Sequence, residues 1–259
     1  MQPLRALPSS VAARIDAIYS DLDDTISTGG RVSAAAFAAL WRAQAAGVNV
    51  VLVTGRPAGW CDHLARMWPL AAVVGENGAL AFACEEGRMR RIYAAREPDA
   101  AARLAVIRDE VLATVPGCKV SADQPYREYD LAIDFCEEVP PLPEDEVDRI
   151  AAIFRRHGAT AKVSSIHVNG WFGSYDKLSM CRRAAGELLG APLDPERAVF
   201  VGDSPNDEPM FRAFPHAVGV ANVRRFAPRL AAPPSYVADA ESGAGFTEVV
   251  DYLLAARGK

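Results

Sequence analysis

The chain has 259 residues, 50% hydrophobic and 24% charged, the proportions of a globular protein long enough to bury one large core or two modest ones. Its 33 acidic residues outnumber the 28 basic ones, for a formal net charge of −5, which excludes a chain-wide basic field for nucleic acid. No apolar run of roughly 18 residues is present to span a membrane, and the opening MQPLRALPSSVAARI lacks the apolar segment and small-residue cleavage site of a secretory leader.

Short apolar runs rich in Val and Ile recur at residues 15–20, 48–53, 72–74, 198–201, 216–220 and 236–238, and each stops at a polar or glycine-bearing loop. Helical spacing lies between them: Phe37, Leu40, Trp41 and Gln44 precede the second run, and Leu178, Cys181, Ala185, Leu188 and Leu189 precede the fourth. Apolar runs alternating with amphipathic helices predict a parallel sheet covered on both faces. Substrates of such sheets bind beyond the carboxyl ends of the strands.

The middle of the chain differs. A helical stretch at 98–115 ends at Pro116-Gly117, and strand-like pieces follow at 119–121 and 130–135. After the breaker Pro140-Pro141-Leu142-Pro143, a second helix at 144–157 stops at Gly158 and leads to strands at 160–164 and 166–171. Helix, strand, strand, twice over, predicts a small α+β domain with an antiparallel sheet, inserted into the α/β domain. The expected division is 1–85 and 172–259 for the core and 86–171 for the insert. Crossings around 82–96 and 171–176 would let the insert tilt as a lid.

Four loops carry chemistry. Asp21 and Asp23, after the first run, share one side of an extended strand end; carboxylates held that close repel unless a cation lies between them or one is protonated. Either remedy is useful: a cation-held Asp21 can attack phosphorus, and Asp23 can give and take a proton. A solvated acidic turn is the plain alternative. Thr54-Gly55-Arg56-Pro57, after the second run, is either an anion-binding strand end or a simple helix cap. Lys177 begins an amphipathic helix, where the helix dipole disfavours it; an anionic partner or plain solvation accounts for it. Gly202-Asp203-Ser204-Pro205-Asn206-Asp207 places two carboxylates and an amide after a buried strand, oxygen donors suited to Mg²⁺, unless they only cap the next helix.

Together these loops resemble the haloacid dehalogenase-like phosphatases, whose four motifs match Asp21-Leu22-Asp23-Asp24-Thr25, Thr54, Lys177 and Gly202–Asp207. The insert resembles the α/β cap of the Cof-type branch (subfamily IIB, C2B cap), as do Val74-Gly75-Glu76-Asn77-Gly78-Ala79 and a closing helix at 243–254. The likeness implies a Rossmann-like α/β core with an α+β cap and a Mg²⁺-dependent aspartyl-phosphate mechanism. Asp21 would be nucleophile and metal ligand, and Asp23 acid/base with its carbonyl on the metal. Asp203 and Asp207 would be further ligands, and Thr54, Gly55, Lys177 and Asn206 would hold phosphate. Asp24 departs from the glycine found there in many members.

For leaving-group recognition the candidates are Arg127, His167, Asn169 and Trp171, with Glu128 and Tyr129 beside them. His167 and Asn169 alternate on one strand and share a face. Arg127 reads as a solvated loop residue before a reader of a second anion, and Trp171 as ring-stacking or hinge packing. Glu76 and Asn77 sit by a strand end, where a turn-forming Asn-Gly explains them as well. His63, His157 and His216 have no metal-like spacing. The five cysteines are odd in number and never C-x-x-C, which predicts reduced, packed thiols and a cytoplasmic protein. The expected partner is a small phosphate ester, with a sugar or polyol phosphate implied by the fourth motif, and the chain is expected to be a monomer or homodimer. A phosphomutase or phosphotransferase, and a non-catalytic metabolite binder, are the competing readings. A nicotinamide enzyme is poorer, since no G-x-G-x-x-G follows the first strand.

Overall fold

The computed structural model describes residues 1–258; Lys259, the end of the expected core span, lies outside the described residues. The first part of the chain forms β1 (Gln2–Pro3), α1 (Ser9–Ala12), β2 (Ala17–Ser20), a hairpin of β3 (Ser27–Thr28) and β4 (Arg31–Val32), α2 (Ala34–Ala45), β5 (Asn49–Val53), α3 (Ala58–Met67), β6 (Ala72–Gly75), β7 (Leu80–Glu85) and β8 (Arg88–Tyr93). The middle forms α4 (Ala100–Thr114), β9 (Lys119–Val120), β10 (Leu131–Asp134), α5 (Glu144–Arg156), β11 (Thr160–Val163) and β12 (His167–Trp171). The remainder forms α6 (Lys177–Glu187), β13 (Ala198–Gly202), α7 (Glu208–Ala213), β14 (Val218–Gly219), β15 (Tyr236–Val237) and α8 (Ser242–Ala256).

The core sheet has the order β1-β15-β14-β13-β2-β5-β6-β7-β8. It is parallel from β1 to β6 and antiparallel across β6, β7 and β8. Burial on both faces explains the apolar runs at 50–53 in β5 and 198–201 in β13. In β5, Val50 and Leu52 pack with Leu40, Phe246 and Val250 on one face, while Val51 and Val53 pack with Met180, Phe200 and Phe211 on the other. That alternation is the two-residue period of a strand.

The hairpin β7–β8 changes the expected boundary. The insert start at 86 falls within it and the crossing placed at 82–96 overlaps it, yet its strands pair in the core sheet. Exposed Arg88, Arg90 and Arg91 mask β8 from a search for apolar runs; charged side chains are how an edge strand avoids pairing with another chain. β1 and the β3–β4 hairpin are also unforeseen, because Gln2-Pro3, Ser27-Thr28 and Arg31-Val32 form no apolar run.

The insert is a four-stranded antiparallel sheet, β11-β12-β10-β9, packed on α4 and α5 through Ile107, Val111, Ile133, Ile150, Phe154 and Val168. Acidic residues open α5 and Arg155 and Arg156 close it, complementing the helix dipole, and Gly158 at φ +76° ends it. On β12, Phe154 lies so near Gly170 that a Cβ there would overlap its ring. The alternate residues His167 and Asn169 turn the other way, toward the core.

Candidate active site

β13, β2 and β5 are neighbours, with Ser20 opposite both Val201 and Leu52. The chain therefore leaves the three strands at one level, which sets Asp21, Thr54 and Asp203 side by side. Asp207 follows a short turn and accepts the Asp203 N–H at 3.2 Å; a Cβ at Gly202 would strike its carboxylate. Oxygens of Asp21, Asp203 and Asp207 lie within 4.8 Å of one another, all buried. Lys177 opens α6 behind a capping box of Asp176 and Ser179. Gly78, at φ +105°, lets the Asp176 carbonyl approach where no Cβ would fit. Lys177 Nζ donates to Asp21 Oδ1 at 2.8 Å and Asp207 Oδ1 at 2.7 Å, leaving one of its three N–H donors for an anion.

Three carboxylates and one ammonium make this buried cluster electron-rich. Burial pushes the Asp21 carboxyl up to about 8, against the pull of Lys177 and with the push of Asp207 and Asp23. Burial, Asp21 and Asp207 raise Asp203 well above the usual carboxylate range. Burial works against the Lys177 charge, but Asp207 and Asp21 outweigh it and raise its pKa. Hard oxygen donors carrying uncompensated negative charge are the donor set that Mg²⁺ takes, so the residues present fit that ion.

Sequence reasoning missed the residues that brace the cluster. Asn222 Nδ2 donates to Asp203 Oδ2 at 3.1 Å and to the Asp24 carbonyl at 3.0 Å, and Arg225 lies 3.8 Å from Asp203. The strand-end rule, applied to the run at 216–220, points to this loop. Asp24 has φ +55°, a conformation that glycine adopts freely and that Asp is among the few other residues to tolerate.

The insert closes over the cluster. Asp21, Asp23, Gly55, Arg56 and Asn206 of the core, with Ser164–Ile166, His167 and Asn169 of the insert, line a cleft of ≈ 10 Å³, room for about one water. Asn169 Nδ2 donates to Asp130 at 2.9 Å, and His167 Nε2 lies 3.2 Å from Ser121 Oγ and 2.8 Å from Glu137 Oε2. Thr54 Oγ1 accepts the Arg56 N–H at 3.0 Å, and Asn206 Oδ1 accepts from Ser204 at 2.8 Å.

Two of the four leaving-group candidates lie elsewhere. Arg127 is neither solvated nor free: its buried guanidinium pairs with Asp123 and Asp130 and donates to the Gly55 carbonyl at 2.8 Å. Trp171 stacks on Tyr175 with ring centroids 5.6 Å apart, packed on Ala79 at the crossing rather than in the cleft. Glu76 proves to be a bracket between the domains, accepting N–H groups of Ala58, Glu128, Tyr129 and Asp130. Asn77 packs against Gly55 with its Nδ2 unpartnered. His157 and His216 pair with Glu110 and Glu196, and all five cysteines are free.

Burial works against the Glu137 anion, but His167 and Arg56 outweigh it and hold the carboxyl down to about 2, from an ordinary 4.5. A depressed carboxylate stabilises the fold above its unfolded pKa and loses that contribution as pH falls through the folded one. Between pH 4.5 and 2 the wild-type Tm should therefore fall, by about 2–4 °C per kcal/mol lost. Glu137→Gln should flatten that limb of Tm against pH; equal slopes would show that Glu137 does not set it.

Residues 18–102 match the family of haloacid dehalogenase-like hydrolases. A protein of Methanothrix thermoacetophila called phosphoglycolate phosphatase is 28% identical over 93% of this chain and 98% of its own. A Thermoplasma acidophilum crystal structure superposes with a TM-score of 0.72 at 18% identity, over 93% of this chain and 98% of that one. A HAD/COF-like hydrolase from Plasmodium vivax superposes at 0.71 and 16% identity, over 96% and 99%. The shared architecture is an α/β core carrying an inserted α+β cap, with a buried acidic cluster at the strand ends. The family match lies on residues 18–102, and the fold shared with these structures extends over nearly the whole chain. Among the described residues no helix is long and apolar enough to cross a membrane.

Proposed function

We propose that the protein is a phosphatase that hydrolyses a small phosphorylated metabolite with Asp21 as transient phosphoryl acceptor. The observation that carries this reading is the meeting of Asp21, Asp203, Asp207 and Lys177 at one end of adjacent strands. An Asp21 oxygen attacks phosphorus; the bond from phosphorus to the leaving oxygen breaks, and Asp23 supplies that oxygen with a proton. Water then attacks the aspartyl phosphate, gives its proton to Asp23, and releases phosphate with Asp21 restored. Lys177, the Thr54 hydroxyl, the Gly55 N–H and the Asn206 amide serve the transferring oxygens, whose charge needs fixed donors rather than new bonds. Asp21, Asp203 and Asp207, with the Asp23 carbonyl, would hold Mg²⁺, which supplies positive charge to the phosphoryl oxygens.

The substrate has to enter a cleft now almost closed, so the insert must lift to admit it. Curated relatives in Methanothrix and Pyrobaculum are named phosphoglycolate phosphatases, whereas the fourth motif supports sugar or polyol phosphates. A phosphate-release panel holding 2-phosphoglycolate beside both classes separates these readings. Turnover should disappear with EDTA and return with MgCl₂. The Tm should rise with Mg²⁺, by about 2.7 kcal/mol of stability at a hundredfold excess over Kd. Unchanged activity and Tm in EDTA would remove the metal from the mechanism.

A further inference from the structure

Asp23 is not free in the closed cleft. Arg56 grips it side-on, Nε lying 3.1 and 3.0 Å from its two carboxylate oxygens and Nη2 2.9 Å from Oδ1. The same guanidinium reaches the insert, donating from Nη2 to Glu137 Oε1 at 2.6 Å and from Nη1 to Asp123 Oδ2 at 3.3 Å. It lies 4.5 Å above the Trp60 ring and is only 4% exposed. Both insert carboxylates are themselves fixed. Asp123 accepts from Ser121 at 2.7 Å and from Arg127. Glu137 stands on a turn whose N–H groups at 136, 137 and 138 all donate to Asp134. A rigid fork held at one end by the insert is thus locked at the other onto the proton-transfer carboxylate.

We propose that Arg56 is a positioning residue through which closure of the insert orients Asp23 for proton transfer to the leaving group. This rests on the reading of Asp23 as acid/base. With the insert lifted, Asp123 and Glu137 withdraw, Arg56 loses its far anchors, and Asp23 is no longer aimed. Proton transfer is then competent only over a covered substrate, which also limits wasteful attack by water in the open state. Arg56 itself touches neither phosphorus nor the leaving oxygen in this role.

Leaving-group dependence of kcat/KM tests the idea, because kcat/KM reports the steps through the first phosphoryl transfer. Glycerol phosphate releases a strongly basic alkoxide that needs the Asp23 proton; p-nitrophenolate leaves without one. Arg56→Lys keeps the charge but loses the fork, and Glu137→Gln loosens the fork from the insert. Both should lower kcat/KM for glycerol phosphate by about 10- to 100-fold, the scale of a misplaced catalytic group. Their kcat/KM for p-nitrophenyl phosphate should change less than about threefold on the same argument. Asp23→Asn should show the same selective loss more strongly. Equal losses on both esters in the Arg56 and Glu137 variants, beside a selective Asp23→Asn, would overturn the proposal and leave Arg56 a mere latch. Equal losses in Asp23→Asn as well would overturn the acid/base reading itself. Circular dichroism and Tm of each variant confirm that the comparison is between folded proteins.

Discussion

Asp21→Asn is expected to lower kcat by at least about 10⁴-fold, since removing a nucleophile costs nearly as much as removing the whole catalytic set. The amide keeps the shape of the side chain but cannot accept a phosphoryl group in a bond that water then cleaves. Stability should move the other way. Asp21 is one of three buried carboxylates served by a single ammonium, and burial already penalises its charge. Replacing it relieves repulsion from Asp207 and Asp23, so the metal-free variant should melt at or above the wild-type temperature. Phosphate release and a thermal scan in EDTA are the two measurements. Robust turnover by a preparation free of contaminating phosphatase would overturn the assignment of the nucleophile.

Lys177→Met should do the opposite to stability and similar harm to rate. The ammonium is 4% exposed and bonded to two buried carboxylates; breaking a buried pair by deleting one partner costs about 3–5 kcal/mol. At about 2–4 °C per kcal/mol, the EDTA-treated variant should lose about 6–20 °C in Tm. Mg²⁺ should restore part of that loss, because it answers the same excess charge. It should not restore turnover, which is expected to fall by about 10²–10³-fold, the scale for losing one donor to developing charge. A variant as stable as wild type in EDTA would mean that the Asp21–Lys177–Asp207 contacts do not hold charge as the geometry indicates.

The core strands at 15–20, 48–53, 72–74 and 198–201 are legible in sequence because two-sided burial demands unbroken apolar residues. The repeated helix–strand–strand unit is legible because Pro116-Gly117, Gly158 and the acidic start of α5 mark its turns and helix ends. The core hairpin β7–β8 is not, for an edge strand with one wet face reads as polar loop. Arg127 illustrates a different limit. An arginine beside Glu128 has the local look of a solvated charge, and only the approach of Asp123, Asp130 and the Gly55 carbonyl makes it a buried strut.

What the amino-acid order determined by itself is which side chains stand at the element ends: Asp21 and Asp23 after one strand, Thr54 after another, Lys177 at a helix start, and the Asp203–Asp207 loop. These signals are local, set by strand ends and helix starts within a few residues of each group. What tertiary structure alone decided is their mutual pairing. Arg56 sits next to Thr54 in sequence, yet its partners Asp23, Asp123 and Glu137 come from a different strand end and from two places in the insert. Partnerships between such distant segments depend on how two separately packed cores meet, and no local periodicity encodes that distance.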